Sequence, residues 1–150
     1  MEELLATAIR DEDFTAAASL RDRLSAMKRD AATGVLDANE RFYVAFRSGS
    51  LRAMRDVWGA GDHVQCMHPG SAVISGAPDV LASWEIVFSS IPGGGLDVEA
   101  ENVRVHASGD LGFVTCVEKV DSSTGYGTLT ATNVFERQGG EWKMVHHHAN

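Results

Sequence analysis

The stretch EWKMVHHHAN, residues 141–150, decides how the rest of the chain is interpreted. A run of histidines is typical of a purification tag, but a tag usually follows a linker of small polar residues. Here the histidines continue without a break from Trp142 and Val145, directly after the turn signal Gly139-Gly140. We therefore predict that this segment is a native last strand; a tag or a frayed tail is the alternative.

Alternation of side chains divides the histidines of this strand between two faces. Successive side chains of an extended chain point in opposite directions. One face is expected to carry Trp142, Met144, His146 and His148, and the other His147. This arrangement turns His146 and His148 toward the interior of the fold.

The composition is that of a globular protein with one domain and a small appendage. Of the 150 residues, 44% are hydrophobic and 23% are charged, and the formal net charge is -8. No apolar run approaches the roughly 20 residues that span a bilayer, so we expect no membrane insertion. The negative charge repels phosphate backbones, and the basic cluster at residues 21–29 is interleaved with acidic residues. We therefore expect no nucleic-acid partner.

The cysteine usage indicates the compartment. Cys66 and Cys116 stand in unrelated segments, at no spacing typical of metal or redox sites. We expect two buried thiols in a reducing environment, without a disulfide. The first residues show no signal-peptide pattern. The sequence thus predicts a soluble intracellular protein, in the cytoplasm or in a plastid stroma, and no motif in it indicates a cofactor.

Helical periodicity dominates residues 1–31. One apolar stripe runs from Leu4 to Ile9, and a second runs from Phe14 to Met27. Asp13, in the acidic stretch between the stripes, is placed to cap the second helix. We predict a helical hairpin, followed by a hinge at residues 31–34.

Residues 8–27 resemble the UVR motif of UvrB and UvrC, in which an acidic turn precedes an aromatic residue, an Ala-Ala pair and a Leu-Arg-Asp triplet. The matching positions are Glu12, Asp13, Phe14, Ala17, Ala18, Leu20, Arg21 and Asp22. The resemblance implies a protein-interaction device at residues 1–33, with the docking residues Phe14, Ala17, Leu20, Arg21 and Leu24. Two short helices cannot bury all of their apolar surface against each other. The covering surface is either the rest of this chain or its twin, or a separate protein bound through residues 1–31.

The remainder of the chain is predicted to be mainly helical as far as residue 88 and to consist of strands and turns after the loop at residues 92–95. Helices are indicated at residues 37–47, 51–58 and 78–88. Strands are indicated at residues 63–68, 72–74, 96–106, 111–120, 127–137 and 141–148, with a turn at 121–125. This order predicts an α+β fold in which helices pack on one side of an antiparallel sheet.

Several segments resemble the SnoaL-like branch of the nuclear transport factor 2-like superfamily: FYVAFRSGSLRAMRDVW, VQCMHPG, VISGAPDVLASWEIVF and EWKMVHHHAN. The most specific features are His68-Pro69-Gly70 at a strand end, and Trp142, His146 and His148 in the last strand. The resemblance implies a cone-shaped, cystatin-like roll over residues 34–150, in which a curved antiparallel sheet wraps around helices and encloses a pocket. It also implies a homodimer formed through the convex face of the sheet.

The implied pocket brings histidines and aromatic rings together, where they can hold a small hydrophobic ligand. Histidine titrates near neutrality, so His68 and His148 are candidate proton donor and acceptor, with Tyr43 as a hydrogen-bond donor. The alternative for each histidine is a hydrogen-bonded structural role, and the alternative for the aromatic rings is a place in the core. The expected pocket residues are Tyr43, Trp58, Cys66, His68, Trp84, Asn133, Phe135, His146 and His148.

Two other chemistries fit the sequence less well. His146 and His148 can chelate a metal with His68 as a further ligand, but no carboxylate partner is evident, so we predict no metal site. An isomerase of the ketosteroid type needs a carboxylate in an apolar pocket beside a donor such as Tyr43. The acidic residues near the predicted strands, Glu99, Glu101, Glu118 and Glu136, are expected next to turns or opposite the apolar face.

Two functions follow from these patterns. The first is a homodimeric module that binds a ligand or has no catalytic role, and whose hairpin docks a protein. The second is a small-molecule enzyme of the isomerase, cyclase or dehydratase type that uses the pocket histidines. The missing buried carboxylate and the appended hairpin favour the first, because a fold by itself does not establish catalysis.

Overall fold

The computed structural model of the chain describes residues 1–10, 13–122 and 125–150. Two predicted features fall outside these ranges: Asp11 and Glu12 of the acidic turn, and the tip of the turn at 121–125. The helices are α1 (Glu2–Arg10), α2 (Phe14–Ser48), α3 (Leu51–Val57) and α4 (Ala77–Ser90). The strands are β1 (Gln65–Met67), β2 (Ile74–Ser75), β3 (Asp97–Ser108), β4 (Leu111–Ser122), β5 (Gly125–Gln138) and β6 (Glu141–Ala149). No described helix combines the length and the hydropathy needed to cross a bilayer.

The described strands form one sheet in the order β2-β1-β6-β5-β4-β3. Strands β3 to β6 are an antiparallel meander, and β1 adds to β6 in parallel, with Gln65 beside His146. The histidine-bearing segment is therefore a strand with a neighbour on each side, as predicted. Helix α2 packs against β3, β4, β5 and β6. The predicted α+β fold, with helices packed against a largely antiparallel sheet, is confirmed.

Helix α2 is a single helix of 35 residues, so the predicted hinge at residues 31–34 is wrong. Its ends carry the predicted signals. The Asp13 carboxylate accepts from the Ala16 N–H at 3.0 Å, and Gly49 ends the helix with a φ of 64°. The hairpin and the sheet-bearing part of the chain thus share one continuous helix.

Gly34 lies inside α2 because an aromatic ring packs against that position. A Cβ on Gly34 would lie 2.5 Å from Cδ1 of Trp142. Trp142 is buried in β6, and the guanidinium carbon of Arg137 lies 4.6 Å from its ring centroid. A glycine that resembles a helix breaker in the sequence is instead what allows the helix to approach the sheet.

A bulge in β6 interrupts the alternation of its side chains. The register with β5 pairs Phe135 with Met144 and Val134 with His146, which leaves Val145 as an extra residue. A bulge of this kind places two residues of one strand opposite one residue of its partner. Every side chain beyond Val145 is therefore on the opposite face from the one that simple alternation predicts.

The bulge corrects the expected orientation of the histidines. Trp142 and Met144 are buried, as predicted, but beyond the bulge His147 is the buried histidine, with 1% of its surface exposed. His146 is half-buried and His148 is exposed. The prediction that His146 and His148 face the interior is wrong, because it assumed an unbroken period of two along the whole strand.

The core is an aromatic cluster centred on Phe42 of α2. Its ring is packed edge-to-face against four other rings at centroid distances between 4.9 and 6.5 Å, and it lies 4.8 Å from the imidazole of His147. Such pairs contribute about 0.5–1.5 kcal/mol each beyond the burial of their surface. The four rings are those of Tyr43, Phe46, Trp58 and Trp84.

Replacing Gly34 by alanine is expected to destabilise the protein, although alanine favours a helix over glycine by about 1 kcal/mol. The added methyl group meets the buried Trp142 ring at 2.5 Å, and overpacking of this kind costs about 1–3 kcal/mol. Chemical denaturation should show a lower midpoint for Gly34→Ala. The matched control is Gly127→Ala, where an added Cβ meets no atom within 4 Å. An unchanged or raised midpoint for Gly34→Ala would contradict the packing of Trp142 on this helix.

Candidate functional site

A chain of hydrogen-bonded side chains crosses the interior between α2 and the sheet. Tyr43 Oη donates to Glu118 Oε2 at 2.7 Å. Asn133 Nδ2 donates to Tyr43 Oη at 3.1 Å and to Asn39 Oδ1 at 2.8 Å. At the far end, Asn133 Oδ1 and His147 Nδ1 are 2.6 Å apart. We call these five residues, Asn39, Tyr43, Glu118, Asn133 and His147, the polar chain.

The hydrogen bonds of Asn133 determine which ring nitrogen of His147 carries a proton. Both amide hydrogens of Asn133 are donated, to Asn39 and Tyr43, so its oxygen must accept from His147. Burial lowers the pKa of His147 to about 3, and neighbouring histidines contribute to that fall. His147 is therefore a neutral imidazole at pH 7, and Nδ1 carries its proton.

Glu118 is a buried carboxylate, so the expectation that it lies opposite the apolar face is wrong. It is 2% exposed, and within the described ranges no ion pair joins it to a cationic side chain. Burial raises the pKa of Glu118, and the hydrogen bond from Tyr43 partly opposes that rise. Burial, followed by the Glu118 charge, raises the pKa of the Tyr43 hydroxyl. Tyr43 therefore acts as a donor that stays protonated.

The pattern of β4 explains why Glu118 was misplaced. Val114, Cys116 and Glu118 alternate along the strand and are all buried. Leu111 and Phe113 face the other way and are exposed, so the outer face of β4 is as apolar as its inner face. Apolar content alone could not distinguish the two faces. The usable signal was the alternation continued from Val114 through Cys116.

His68 holds the end of β1 against α4. Ser83 Oγ donates to the Val80 carbonyl at 2.6 Å, so it must accept from His68 Nε2, which lies 2.9 Å away. The His68 ring is also edge-on to Trp84, with centroids 4.8 Å apart. Burial lowers the pKa of His68. These contacts support the structural alternative for this histidine.

The interior collects many of the predicted pocket residues but not all. His68 is half-buried at its edge, whereas His146 and His148 lie on the outer side of β6. The buried members are Tyr43, Trp58, Cys66, Trp84, Asn133 and Phe135. The prediction of the pocket left out Asn39, Cys116, Glu118 and His147.

The interior around the polar chain is filled. Tyr43 and Asn133 are 0% exposed, so no water-sized space borders them. The ring of Phe42 packs against Tyr43, Trp58 and Trp84, three residues that were expected to line a pocket. Within the described part of the chain, the buried side-chain nitrogens and oxygens without a hydrogen-bond partner are the indole N–H groups of Trp58 and Trp84.

The residues that could chelate a metal are not brought together. Among the residues that the structure describes, no group of three or more His, Cys, Asp or Glu side chains could hold a metal ion. His68 lies at the edge of the interior, while His146 and His148 face outward. The described residues therefore do not form the three-histidine metal site that the sequence offered as a candidate.

The outer face of the sheet carries an apolar groove. Leu111 is 56% exposed and Phe113 is 43% exposed. Together with Gly112 and Val134 they line a cavity of about 630 Å³. Adjacent exposed apolar side chains of this size are typical of interaction surfaces.

The predicted docking residues of the hairpin differ in their exposure. Ala17 is buried, and Leu20 and Leu24 are half-buried. Phe14, the aromatic residue of the motif, is 72% exposed, and Arg21 is also exposed. The hairpin therefore covers part of its apolar stripe and leaves its aromatic residue in solvent.

Family comparisons cover both parts of the chain. A SnoaL-like domain matches residues 35–149, and a UvrB/uvrC motif matches residues 1–30. Both resemblances drawn from the sequence are confirmed. F-box protein SKIP8 from Arabidopsis thaliana is 33% identical over 116 residues, which is 77% of this chain. The chain spans about half, 48%, of the length of that relative.

The solved structures that share this fold include the following two proteins. A proposed dehydratase of the NTF2-like family from Streptomyces avermitilis is 31% identical with a TM-score of 0.71, over 79% of this chain and 93% of that one. A proposed calcium/calmodulin-dependent protein kinase type II association domain from Thiobacillus denitrificans is 33% identical with a TM-score of 0.66, over 75% of this chain and 90% of that one. The same fold thus carries the name of an enzyme in one protein and of an association domain in another.

Replacing Glu118 by glutamine is expected to change how stability depends on pH. Because the folded pKa of Glu118 is raised above 4.5, its contribution to stability is complete below that pH and is lost as pH rises through the folded pKa. The glutamine side chain keeps an acceptor for Tyr43 but cannot ionise. Thermal unfolding should therefore show an advantage of Glu118→Gln over the unsubstituted protein that grows with pH, by up to ~1.4 kcal/mol per pH unit.

The control for this experiment is Glu99→Gln, at an exposed position of β3. It should follow the pH dependence of the unsubstituted protein. If Glu118→Gln also follows it, the carboxylate is not buried in the solution structure.

Proposed function

The chain belongs to the SnoaL-like domain family, and we propose that within it the chain is a non-catalytic homodimeric module whose UVR-type hairpin docks a protein. The observation that carries this proposal is the filled interior. Four members of the polar chain are between 0% and 2% exposed. A catalytic or ligand-binding pocket needs open space beside its reactive groups, and here each of these groups is engaged with another side chain.

The apolar groove on the outer face supports the homodimer. A second copy related by twofold symmetry would present the same Leu111 and Phe113 side chains to this groove. Burial of such side chains is the main favourable term in association. The protein from Thiobacillus denitrificans, whose name describes an association domain, has the same fold at 33% identity. Together these observations favour assembly through the sheet.

The hairpin supports a docking role in addition to the dimer. Its second helix is the first half of α2, so a partner held by the hairpin is connected to the core without a flexible linker. Phe14 remains 72% exposed and Met27 55% exposed. Exposed aromatic and methionine side chains are enriched at protein interfaces.

A small-molecule enzyme of the isomerase, cyclase or dehydratase type is the second candidate, favoured by the Tyr43–Glu118 contact of 2.7 Å. A carboxylate in apolar surroundings beside a hydrogen-bond donor is suited to proton transfer at carbon. The protein from Streptomyces avermitilis carries the name of a dehydratase in the same fold. This alternative requires the side chains around Glu118 to open, which is why the filled interior favours the module.

Native mass spectrometry of the purified protein tests both candidates at once. We expect the mass of two chains with no retained organic molecule. Phe113→Asp should weaken the dimer by at least about 30-fold, because it places a charge in the apolar contact. The matched control is Ile86→Asp, at a residue of α4 that is 70% exposed, and it should leave the dimer intact. A monomer in the unsubstituted protein would contradict the proposed dimer, and a retained small molecule would favour the enzyme.

A further inference from the structure

A second groove lies between the hairpin and the end of the sheet. The first residues of α1 form one side and the middle of α2 forms the floor, with Leu24, Met27 and Ala31. The turn between β3 and β4, residues 108–110, and Arg137 of β5 form the other side. The volume of the groove is about 790 Å³. We call this feature the hairpin groove.

The floor of the hairpin groove is apolar and open to solvent. Met27 is 55% exposed, Met1 is 37% exposed, and Leu24 is half-buried. Methionine side chains are unbranched and adapt to the shape of an incoming apolar surface. The groove therefore offers an adaptable apolar floor rather than a closed pocket.

The rim of the hairpin groove is acidic. Four carboxylates and two cationic side chains line it. Arg137 is already engaged, since its Nε lies 3.4 Å from Asp110 Oδ1 and its guanidinium covers Trp142. The remaining charged side chains are three carboxylates and one lysine: Glu2, Glu3, Asp30 and Lys28. The complementary surface is therefore apolar on one side and positively charged at its margins.

An incoming segment in this groove has to satisfy its own backbone. The floor of the groove is the middle of α2, whose main-chain groups are paired along the helix, so the floor offers no main-chain partner to an extended peptide. A helix satisfies its backbone internally and needs only a groove for its apolar side. The shape of the groove thus selects a helix over a strand.

We propose that the hairpin groove binds a basic amphipathic helix of a partner protein. This inference rests on the proposed docking function of the hairpin and names the chemistry of its partner. Apolar side chains at the i, i+3, i+4 and i+7 spacing lie on Met27 and Leu24. Lysine or arginine side chains flank that stripe and face Glu2, Glu3 and Asp30, which gives the interaction its specificity and speeds association.

The test uses a fluorescently labelled synthetic helix of about 18 residues, long enough to be helical in water, with leucines in the stripe and lysines elsewhere. Anisotropy titration with the full chain should show saturable binding. Met27→Glu should weaken it by about tenfold or more, because the apolar contact is lost. Since this variant makes the protein more negative, attraction by charge alone would instead strengthen the binding. The matched control is Ile86→Glu, outside the groove, which should bind as the unsubstituted protein does.

The outcomes separate this inference from the proposed module. Unchanged binding by Met27→Glu overturns the groove as the site, and equal binding of the same peptide with glutamates in place of lysines overturns the basic partner. If native mass spectrometry finds the dimer and the lysine peptide fails to bind, the groove inference fails and the dimer stands. If the peptide binds through Met27 to a monomeric protein, the dimer fails and the groove inference stands.

Discussion

Burial of the polar chain is the constraint on which the rest of the structure depends. A buried polar group without a partner costs about 1–3 kcal/mol, so the positions of these side chains must agree with one another. Asn133 of β5 contacts α2 through Asn39 and Tyr43, and contacts β6 through His147. Tyr43 of α2 also contacts β4, through its hydrogen bond to Glu118. One set of hydrogen bonds thus sets the position of three strands against one helix, and the bulge in β6 brings the imidazole into reach.

Features that depend on neighbouring residues could be predicted from the sequence, and features that depend on distant contacts could not. The capping of α2 by Asp13, the order of elements and the aromatic core follow from local patterns. The continuity of α2 at Gly34 depends on the Trp142 ring, far along the chain. The bulge at Val145 has no signal in the alternation. The alternation of β4 predicts a buried side chain at position 118, but the reason for a carboxylate there appears only when Tyr43 is placed beside it. The sequence analysis therefore missed two parts of the candidate site: His147, which the bulge turns inward, and Glu118, which pairs with Tyr43.

Because the interior is filled, the proposed function lies on the surfaces of the cone and not inside it. A fold that hosts enzymes in some members does not establish catalysis in another, because function depends on the site. Here Tyr43 and Glu118 are buried, and the ring of Phe42 packs against that of Tyr43. The two apolar surfaces on which the proposals rest differ in charge and position. We propose a second copy of the chain for the outer face of the sheet and a basic helix for the acidic hairpin groove.

The most direct test of this account is the titration of the His147 imidazole by nitrogen-15 NMR. A buried imidazole that donates through Nδ1 to Asn133 should remain neutral, with the proton on Nδ1, as pH is lowered well below the usual histidine range, since burial brings its pKa to about 3. A His147 that titrates near the ordinary histidine pKa of 6.5, or that carries its proton on Nε2, would contradict both the bulge and the closed polar chain.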